Sequence, residues 1–299
     1  MTIIANSESK YDELFLKRTT RALLNLGIRG MPLTWERTKV WTQQFEVGPE
    51  RTLAWLILRN LVFRTDEQLR SSFRQSIKSA VEYFNEKLNP GNEFLWRNHK
   101  NEKRFDIYCG PPIASSNVPG KSGELVARLI NQQFGIKKWY AYDIVNLNPD
   151  ERFLIVDDGT FTGEQLITFF DNAPHLRSVE NQIAVVVAIA HDTAIAALAR
   201  RYPKIPLFYG ERLSVEHCFE GISEYWVSSQ QWPYAELSPK DVYENVCLKH
   251  GINDKSAGIM GFGALGIMVG YAHGIPDDSL SLLWKRSNNW IPLIDREAS

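Results

Sequence analysis

The first ninety residues show a helical rhythm of apolar positions. From residue 69 onward these positions recur at three- and four-residue steps: Leu69, Phe73, Ile77, Ala80, Val81, Phe84 and Leu88. Thr65 and Gln68 have the spacing of a capping box, which predicts that this helix starts at Thr65. The stretch 90–92, Pro-Gly-Asn, predicts its end. Apolar patterns separated by Gly and Pro also predict earlier helices over 11–26, 34–46 and 50–63.

Beyond residue 104, short apolar runs alternate with helical patterns. The predicted strands are 105–109, 139–144, 153–156, 183–190 and 205–209, and the helices between them are 122–134, 163–172 and 193–201. The unbroken run Val185, Val186 and Val187 is typical of a strand covered on both faces, as in a parallel sheet. A further helix is predicted over 239–250. The fold class predicted is α/β, a parallel sheet with flanking helices, preceded by a small all-α N-terminal domain.

Composition and charge divide the chain at about the same place. The 299 residues are 44% hydrophobic and 23% charged, which excludes disordered, collagen-like and coiled-coil proteins. Lys and Arg number 34 against 35 Asp and Glu, yet residues 1–104 carry a net charge of +6 and residues 105–299 a net charge of −7. We therefore predict a basic helical domain over 1–100 and an α/β domain with a C-terminal extension over 101–299.

The number and spacing of the cysteines and the hydropathy of the chain indicate in which cellular compartment the protein is expected. Cys109, Cys218 and Cys247 are too few and too scattered for a disulfide framework, and no Cys/His spacing indicates structural zinc. The N-terminus lacks the basic-then-apolar plan of a signal peptide. The longest apolar stretch, 257–272, contains five glycines and is shorter than the roughly 20 residues that span a bilayer. We expect a cytoplasmic protein with no membrane segment.

The segment 153–165 carries the clearest chemistry. It reads as an apolar strand, the adjacent carboxylates Asp157 and Asp158, a Gly/Thr loop and a helix, and ligands of open α/β sheets bind at such strand ends. Backbone N–H groups of a loop before a helix bind anions such as phosphate. The predicted phosphate-binding residues are Gly159, Thr160, Phe161, Thr162, Gly163, Glu164 and Gln165. Asp157 and Asp158 would then face ribose hydroxyls or Mg²⁺ beside that phosphate.

This segment resembles the phosphoribosyl pyrophosphate (PRPP) signature of type I phosphoribosyltransferases, which has four apolar residues, two acidic residues and a Thr/Gly-rich loop. Two positions depart from it: Phe161 stands where Thr is common, and Gln165 where Thr or Ser is common. The resemblance implies transfer or cleavage at ribose C1, with Asp157 and Asp158 as the catalytic residues. It also implies Mg²⁺ as the cofactor, held by these carboxylates directly, through ribose or through water.

A second resemblance covers more of the chain. The sequence is similar to the phosphoribosyltransferase-like proteins of bacterial conflict systems, written PRTase-CE, some of which belong to retrons. The residues that carry it are Trp41 to Phe45, Cys109 to Pro112, Ser279 to Leu283, Trp284, Trp290, Pro292, Leu293 and Arg296. It implies an antiphage effector that depletes or modifies a nucleotide pool and is restrained until infection.

The region after the first predicted strand has three interpretations. Residues 115–122 differ from a Walker A loop in one position, because Ser115 replaces the first Gly. In the resembled fold this region is the pyrophosphate loop, which implies contacts from Gly110, Ser115, Ser116 and Lys121. A plain surface loop explains it equally well. Lys137, Lys138 and Arg212 are further candidates for pyrophosphate contacts.

Other motifs have simpler explanations. The segment 158–160 resembles the end of the Asp-x-Asp-Gly-Thr signature of haloacid dehalogenase-like phosphatases, but Val156 stands where the nucleophile belongs, which disfavours that class. Residues 261–266 fit Gly-x-Gly-x-x-Gly, yet no strong strand precedes them, so a close-packed strand or turn is expected. His191 and Asp192 either cap the helix at Thr193 or touch the ligand. The pair at 277–278 forms either a turn after Pro276 or part of a lid.

The basic N-terminal region leaves its partner open. Its charge and Trp35, Trp41 and Trp55 are suited to nucleic acid, although Trp41 and Trp55 lie among apolar residues as core positions do. We expect a partner protein or ribonucleoprotein, such as a reverse transcriptase complex, and association of the chain with itself. A non-catalytic module that senses PRPP or a nucleotide is the alternative to an enzyme.

Overall fold

The structure is a computed structural model that describes residues 13–88, 106–117, 122–144, 146–149, 151–252 and 257–295. Its helices are α1 (Glu13–Asn25), α2 (Trp35–Gln43), α3 (Pro49–Asn60), α4 (Asp66–Leu88), α5 (Ser122–Phe134), α6 (Glu164–Asp171), α7 (Asp192–Arg201), α8 (Phe219–Ser228) and α9 (Pro239–Lys249). Its strands are β1 (Val62–Arg64), β2 (Asp106–Gly110), β3 (Lys137–Lys138), β4 (Glu151–Thr160), β5 (Ile183–His191), β6 (Leu207–Leu213) and β7 (Val269–Tyr271).

Five of these strands form one parallel sheet in the order β3-β2-β4-β5-β6. The interior strand β5 is buried at all nine positions, because helices cover both of its faces. In the register of the sheet, Cys109 lies beside Leu154, and Val187 lies between Asp157 and Tyr209. The predicted α/β class, with a parallel sheet, flanking helices and a helical N-terminal region, is confirmed.

Helices pack on both faces of this sheet. Side chains alternate along a strand, so Phe153, Ile155, Val185 and Val187 share one face. They form a core there with α6 and α7, whose contributing residues are Leu166, Phe169, Phe170 and Leu198. The opposite face carries α5, where the Cys109 thiol donates to the Ala127 carbonyl oxygen at 3.8 Å. It also carries α4, where the rings of Tyr83 and Phe208 lie 5.7 Å apart.

The chain divides into two compact units. One is Glu67–Ser214, and the other joins Met1–Asp66 to Val215–Ser299. These limits differ from the predicted boundary near residue 100. Helix α4 packs on the sheet, since a Cβ atom on Gly210 of β6 would lie 2.6 Å from the Cβ of Ser72. The change in net charge near residue 100 therefore does not coincide with the boundary between the two compact units, because α4 packs on the sheet.

The unit with both termini has an aromatic core that links α2 to the C-terminal segment. The Trp290 ring lies 6.0 Å from that of Trp41 and 5.1 Å from that of Phe45, both edge-on. Trp41 and Trp290 each donate an indole N–H to the carbonyl oxygen of Leu282, at 3.2 Å and 3.0 Å. Strands β1 and β7 pair in parallel in the same unit. Trp41 and Trp55 are buried core residues, as their apolar neighbours indicated.

Several local predictions need correction. The strand predicted at 139–144 is wrong: β3 ends at Lys138, and Ala141–Asp143 is a short 3₁₀ helix. The sequence did not predict helix α8 or the strand pair β1 and β7, and the helix predicted over 50–63 ends at Asn60, before β1. The helix end predicted at 90–92 lies outside the described residues.

The glycine-rich segment is a close-packed turn, as expected. Gly261 has a φ of +78°, and a Cβ atom there would lie 2.4 Å from the carbonyl oxygen of Asp278. The predicted turn after Pro276 is present, with the Ser279 amide donating to the Pro276 carbonyl oxygen at 3.0 Å. Within the part of the chain that the structure describes, every helix is too short or too polar to cross a membrane.

Candidate ligand site

Strand β4 carries the acidic pair beyond its neighbour β2. The predicted strand ended at Val156, but β4 continues to Thr160, because it pairs with β5 as far as Ala190. Strand β2 stops earlier, at Gly110 beside Ile155. The start of α5 packs alongside β4 at this point, and a Cβ atom on Gly123 would lie 3.0 Å from the Val156 carbonyl oxygen. The Asp157 backbone is therefore flanked by β5 and by the first turn of α5.

Asp157 connects three elements through its carboxylate. One oxygen, Oδ1, accepts from the Ser122 hydroxyl at 2.8 Å and from the Asp158 amide at 3.0 Å. The other, Oδ2, accepts from the Gln165 side-chain amide at 3.0 Å. Only 4% of Asp157 is exposed, so these bonds replace the water that a charged carboxylate needs. Ser122 was not among the predicted site residues, although it ends the Walker-like stretch.

Asp158 follows on the strand and is 8% exposed. By the alternation of β4 it projects to the face opposite Asp157. In the part of the chain that the structure describes, no cluster of three or more His, Cys, Asp or Glu could hold a metal ion. Because the two side chains leave β4 on opposite faces, a Mg²⁺ ion would take one of these carboxylates and keep water and substrate oxygens as its other ligands, which is its usual coordination at phosphate sites.

Part of the predicted phosphate loop is buried in the core. Phe161 is 4% exposed, and its carbonyl oxygen accepts from the Ala194 amide of α7 at 3.1 Å. Gly163 caps α6 with a φ of +83°. Because glycine offers no side-chain acceptor, the N–H groups at the start of α6 remain suited to an anion. The Phe161 side chain belongs to the core, so any phosphate contact from this residue comes from its backbone.

The Thr and Glu side chains of the loop differ in exposure. Thr160 is 6% exposed, whereas Thr162 is half-buried and its hydroxyl accepts from the Glu164 amide at 3.4 Å. Glu164 and Gln165 are exposed, and Gly159 is half-buried. The loop thus presents Thr162 and the first turn of α6 toward solvent.

The residues proposed for a pyrophosphate loop have different surroundings. A Cβ atom on Gly110 would lie 2.1 Å from the Trp139 carbonyl oxygen, so close packing of β2 requires this glycine. Ser115 and Ser116 are exposed, and the Ser115 hydroxyl accepts from the Asn117 amide at 3.4 Å. Lys121 lies outside the described residues.

Two further candidates at this sheet edge have structural partners. His191 is the N-cap of α7 and accepts from the Thr193 amide at 3.2 Å, so the capping interpretation is confirmed. Arg212 forms an ion pair with Asp192 at 2.5 Å.

Lys138 pairs with Glu124 in the first turn of α5. Its ammonium group also donates to the Tyr140 hydroxyl at 2.8 Å. Burial alone would raise the pKa of Glu124, but hydrogen bonds from Lys138 and Tyr140 outweigh it and lower that pKa below 4.5. This pair fixes the start of α5, the helix that carries Ser122.

Sequence comparison tests the two resemblances. A family model described as PRTase-CE matches residues 38–296. The chain belongs to the PRTase-CE family. The match covers both the carboxylate loop of this PRTase-CE protein and the two tryptophans, Trp41 and Trp290, that share the Leu282 carbonyl oxygen.

Solved structures similar to this PRTase-CE chain include an orotate phosphoribosyltransferase from Aeropyrum pernix. That match has 16% identity and a TM-score of 0.26, and it covers 53% of this chain and 81% of the other. The AQ2163 protein from Aquifex aeolicus matches with 13% identity and a TM-score of 0.27, covering 62% of this chain and 85% of the other. No curated protein matches the chain.

Proposed function

We propose that this PRTase-CE protein is a phosphoribosyltransferase-like enzyme that acts at ribose C1 of PRPP or of a nucleotide. The observation that carries this proposal is the order of groups at the end of β4. Two buried carboxylates, Asp157 and Asp158, lie near the end of β4, and residues 161–163 then lead into the N-terminus of α6. A ribose 5-phosphate presents hydroxyls and a phosphate in the same order.

The ligand is held by complementary groups. Backbone N–H groups of residues 159–165 and the Thr162 hydroxyl bind the 5-phosphate. The carboxylates hold the ribose 2- and 3-hydroxyls, directly or through Mg²⁺. When bound with a diphosphate, Mg²⁺ neutralises charge on its oxygens. Residues 110–121 supply pyrophosphate contacts.

The proposed reaction depends on how the protein positions the ribose and needs no covalent nucleophile from the protein. The bond from ribose C1 to pyrophosphate or base breaks, and its electron pair leaves with that group. The ribose gains oxocarbenium character, which fixed negative charge beside it stabilises. An acceptor base or water then bonds to C1 and loses a proton. Loss of pyrophosphate followed by attack of an acceptor base is phosphoribosyl transfer, and loss of a base followed by attack of water is N-glycosidic cleavage.

We further propose a role in antiphage defence of the retron type. Family membership supports this role, as does the basic N-terminal helix, where Lys17, Arg18 and Arg21 are exposed. A reverse transcriptase or its nucleic acid would contact this region and restrain the enzyme until infection. We place this activity in the cytoplasm, where nucleotides are present, and include self-association of the chain in the proposal.

A second candidate is a non-catalytic sensor of PRPP or a nucleotide that signals to a partner. Gln165 favours the sensor, because its side chain donates to Asp157 and supplies no hydroxyl for a phosphate. The side chain at 161 also favours it, because Phe161 is buried in the core.

One experiment separates the two candidates. Cells that carry the complete locus are infected, and PRPP and nucleotide pools are measured with the wild type and with Asp157→Asn/Asp158→Asn. An enzyme depletes or modifies a pool in the wild type only, while Asp143→Asn, an exposed carboxylate outside the site, behaves like the wild type. Full activity in the double variant would exclude the catalytic assignment. Unchanged pools alongside normal PRPP binding would favour the sensor.

A further inference from the structure

The carboxylate of Asp157 is already shared among parts of the protein. It accepts from the Ser122 hydroxyl at the start of α5, from the next amide of its own strand and from Gln165 in α6. An ionised carboxylate has about four lone-pair sites, so at least three of them serve these contacts. Most of the hydrogen-bonding capacity of this carboxylate is therefore used within the protein.

Gln165 is the exposed partner in this set. A free glutamine side chain samples several rotamers, and its ordering costs about 1 to 2 kcal/mol. The bond to a buried carboxylate compensates for that cost, because hydrogen bonds to charged groups are the stronger ones. Since Gln165 stands in the first turn of α6, the bond also fixes that turn relative to β4.

We propose that Asp157, besides the ribose contact proposed above, is a positioning residue that acts on the ligand through the phosphate loop. Its bonds to Ser122 and Gln165 tie the starts of α5 and α6 to β4, so that the N–H groups of residues 159–166 are preorganised for an anion. This inference rests on the proposed function only in taking that anion to be the 5-phosphate of PRPP.

The donor and acceptor of this pair can be exchanged, which gives a sharp test. In Asp157→Asn, Oδ1 still accepts from Ser122, and the Gln165 amide can rotate so that its oxygen accepts from the new NH₂ group. In Gln165→Glu two carboxylates meet at about 3 Å and repel each other. In Asp157→Asn/Gln165→Glu, the asparagine NH₂ donates to the glutamate, and the bond is restored with its direction reversed.

Hydrogen exchange of the free protein is the first readout. We expect Gln165→Glu and Gln165→Ala to lower amide protection across residues 159–166 by roughly tenfold. Asp157→Asn and the exchanged pair should remain within roughly threefold of wild type. Gln132→Glu makes the same chemical change at an exposed position of α5 and should have no effect.

Calorimetry with PRPP and Mg²⁺ is the second readout. Affinity for PRPP should fall in Gln165→Glu and in Gln165→Ala, which both keep Asp157, while Gln132→Glu binds like the wild type. If the exchanged pair is no better protected than Gln165→Glu, the positioning role is wrong, whatever the affinity shows. If protection follows the expected pattern while wild type binds no PRPP, the positioning role stands and the proposed function fails.

Discussion

Gly163 lies against the start of α7, where a Cβ atom built on it would stand 3.2 Å from Ala194 Cα. Its φ of +83° is in the left-handed region that favours glycine. The Ala194 amide also donates to the Phe161 carbonyl oxygen. Helix α7 therefore holds the turn that leads into the N-terminus of α6.

Replacing Gly163 should lower the free energy of unfolding. Gly163→Ala carries the left-handed backbone cost of about 1 kcal/mol and adds a crowded contact with Ala194, so we expect a loss of roughly 2 kcal/mol. Gly135→Ala is a matched control, because Gly135 has a φ of +69° and nothing within 4 Å of its added Cβ. Urea unfolding measures the free energy of unfolding of both variants. Equal losses in Gly163→Ala and Gly135→Ala would contradict the crowding at Gly163.

The shared carbonyl oxygen of Leu282 predicts coupling between Trp41 and Trp290. Each Trp→Phe variant keeps an aromatic ring and removes one N–H donor, which costs about 1 kcal/mol. Each single variant leaves the buried oxygen one partner, whereas the double variant removes both. The double variant should therefore lose more free energy of unfolding than the two single losses combined. Additive losses in a double-mutant cycle would count against this shared acceptor.

Arg29 should be a major stabiliser of the unit that contains both termini. It is 5% exposed and donates to the carbonyl oxygens of Leu58, Arg59 and Leu61 at the end of α3. Burial, followed by the nearby charge of Arg64, lowers the Arg29 pKa to about 10. Arg29→Met leaves these carbonyl groups without their donors, and we expect a loss of about 2 to 4 kcal/mol.

Arg18→Met is the control for this change, because Arg18 is exposed on α1. Arg18→Met should change the free energy of unfolding by no more than about 0.5 kcal/mol in the same denaturation experiment. Equal losses at the two positions would show that Arg29 does not stabilise the end of α3.

Glu124 should contribute stability that depends on pH. Its pKa is lowered in the folded protein, so its contribution is present at neutral pH and is lost as pH falls through that lowered pKa. At pH 7, Glu124→Gln should be less stable than wild type by no more than about 1 kcal/mol, because the pair with Lys138 is partly exposed. The difference should shrink as the pH falls below the ordinary glutamate pKa and through the lowered pKa of Glu124. A constant difference would contradict the ion pair.

Helices and strands with strong periodicity could be predicted from the sequence. The predicted helix 122–134 has the same limits as α5, and β5 exceeds its prediction by one residue. The end of β4 could not be predicted, because Asp157, Asp158 and Gly159 are poor strand formers and only pairing with β5 makes them a strand. Tertiary pairing overrides local preference here.

The candidate site was only partly accessible to sequence reasoning. The order of Asp157, Asp158 and the loop marks the strand end, because acidic and glycine residues follow an apolar run. The bonds from Ser122 and Gln165 depend on where α5 and α6 begin relative to β4, which the residue pattern does not contain. The compact units depend likewise on the packing of α4 and of the segment around Trp290.

Calorimetric titration of the wild-type protein with PRPP and Mg²⁺ tests the central claim most directly. We predict saturable binding that Asp158→Asn weakens by roughly tenfold or more, while Asp143→Asn leaves it unchanged. Absence of binding heat at millimolar PRPP, with the protein shown to be folded, would contradict the assignment of this loop as a phosphoribosyl site.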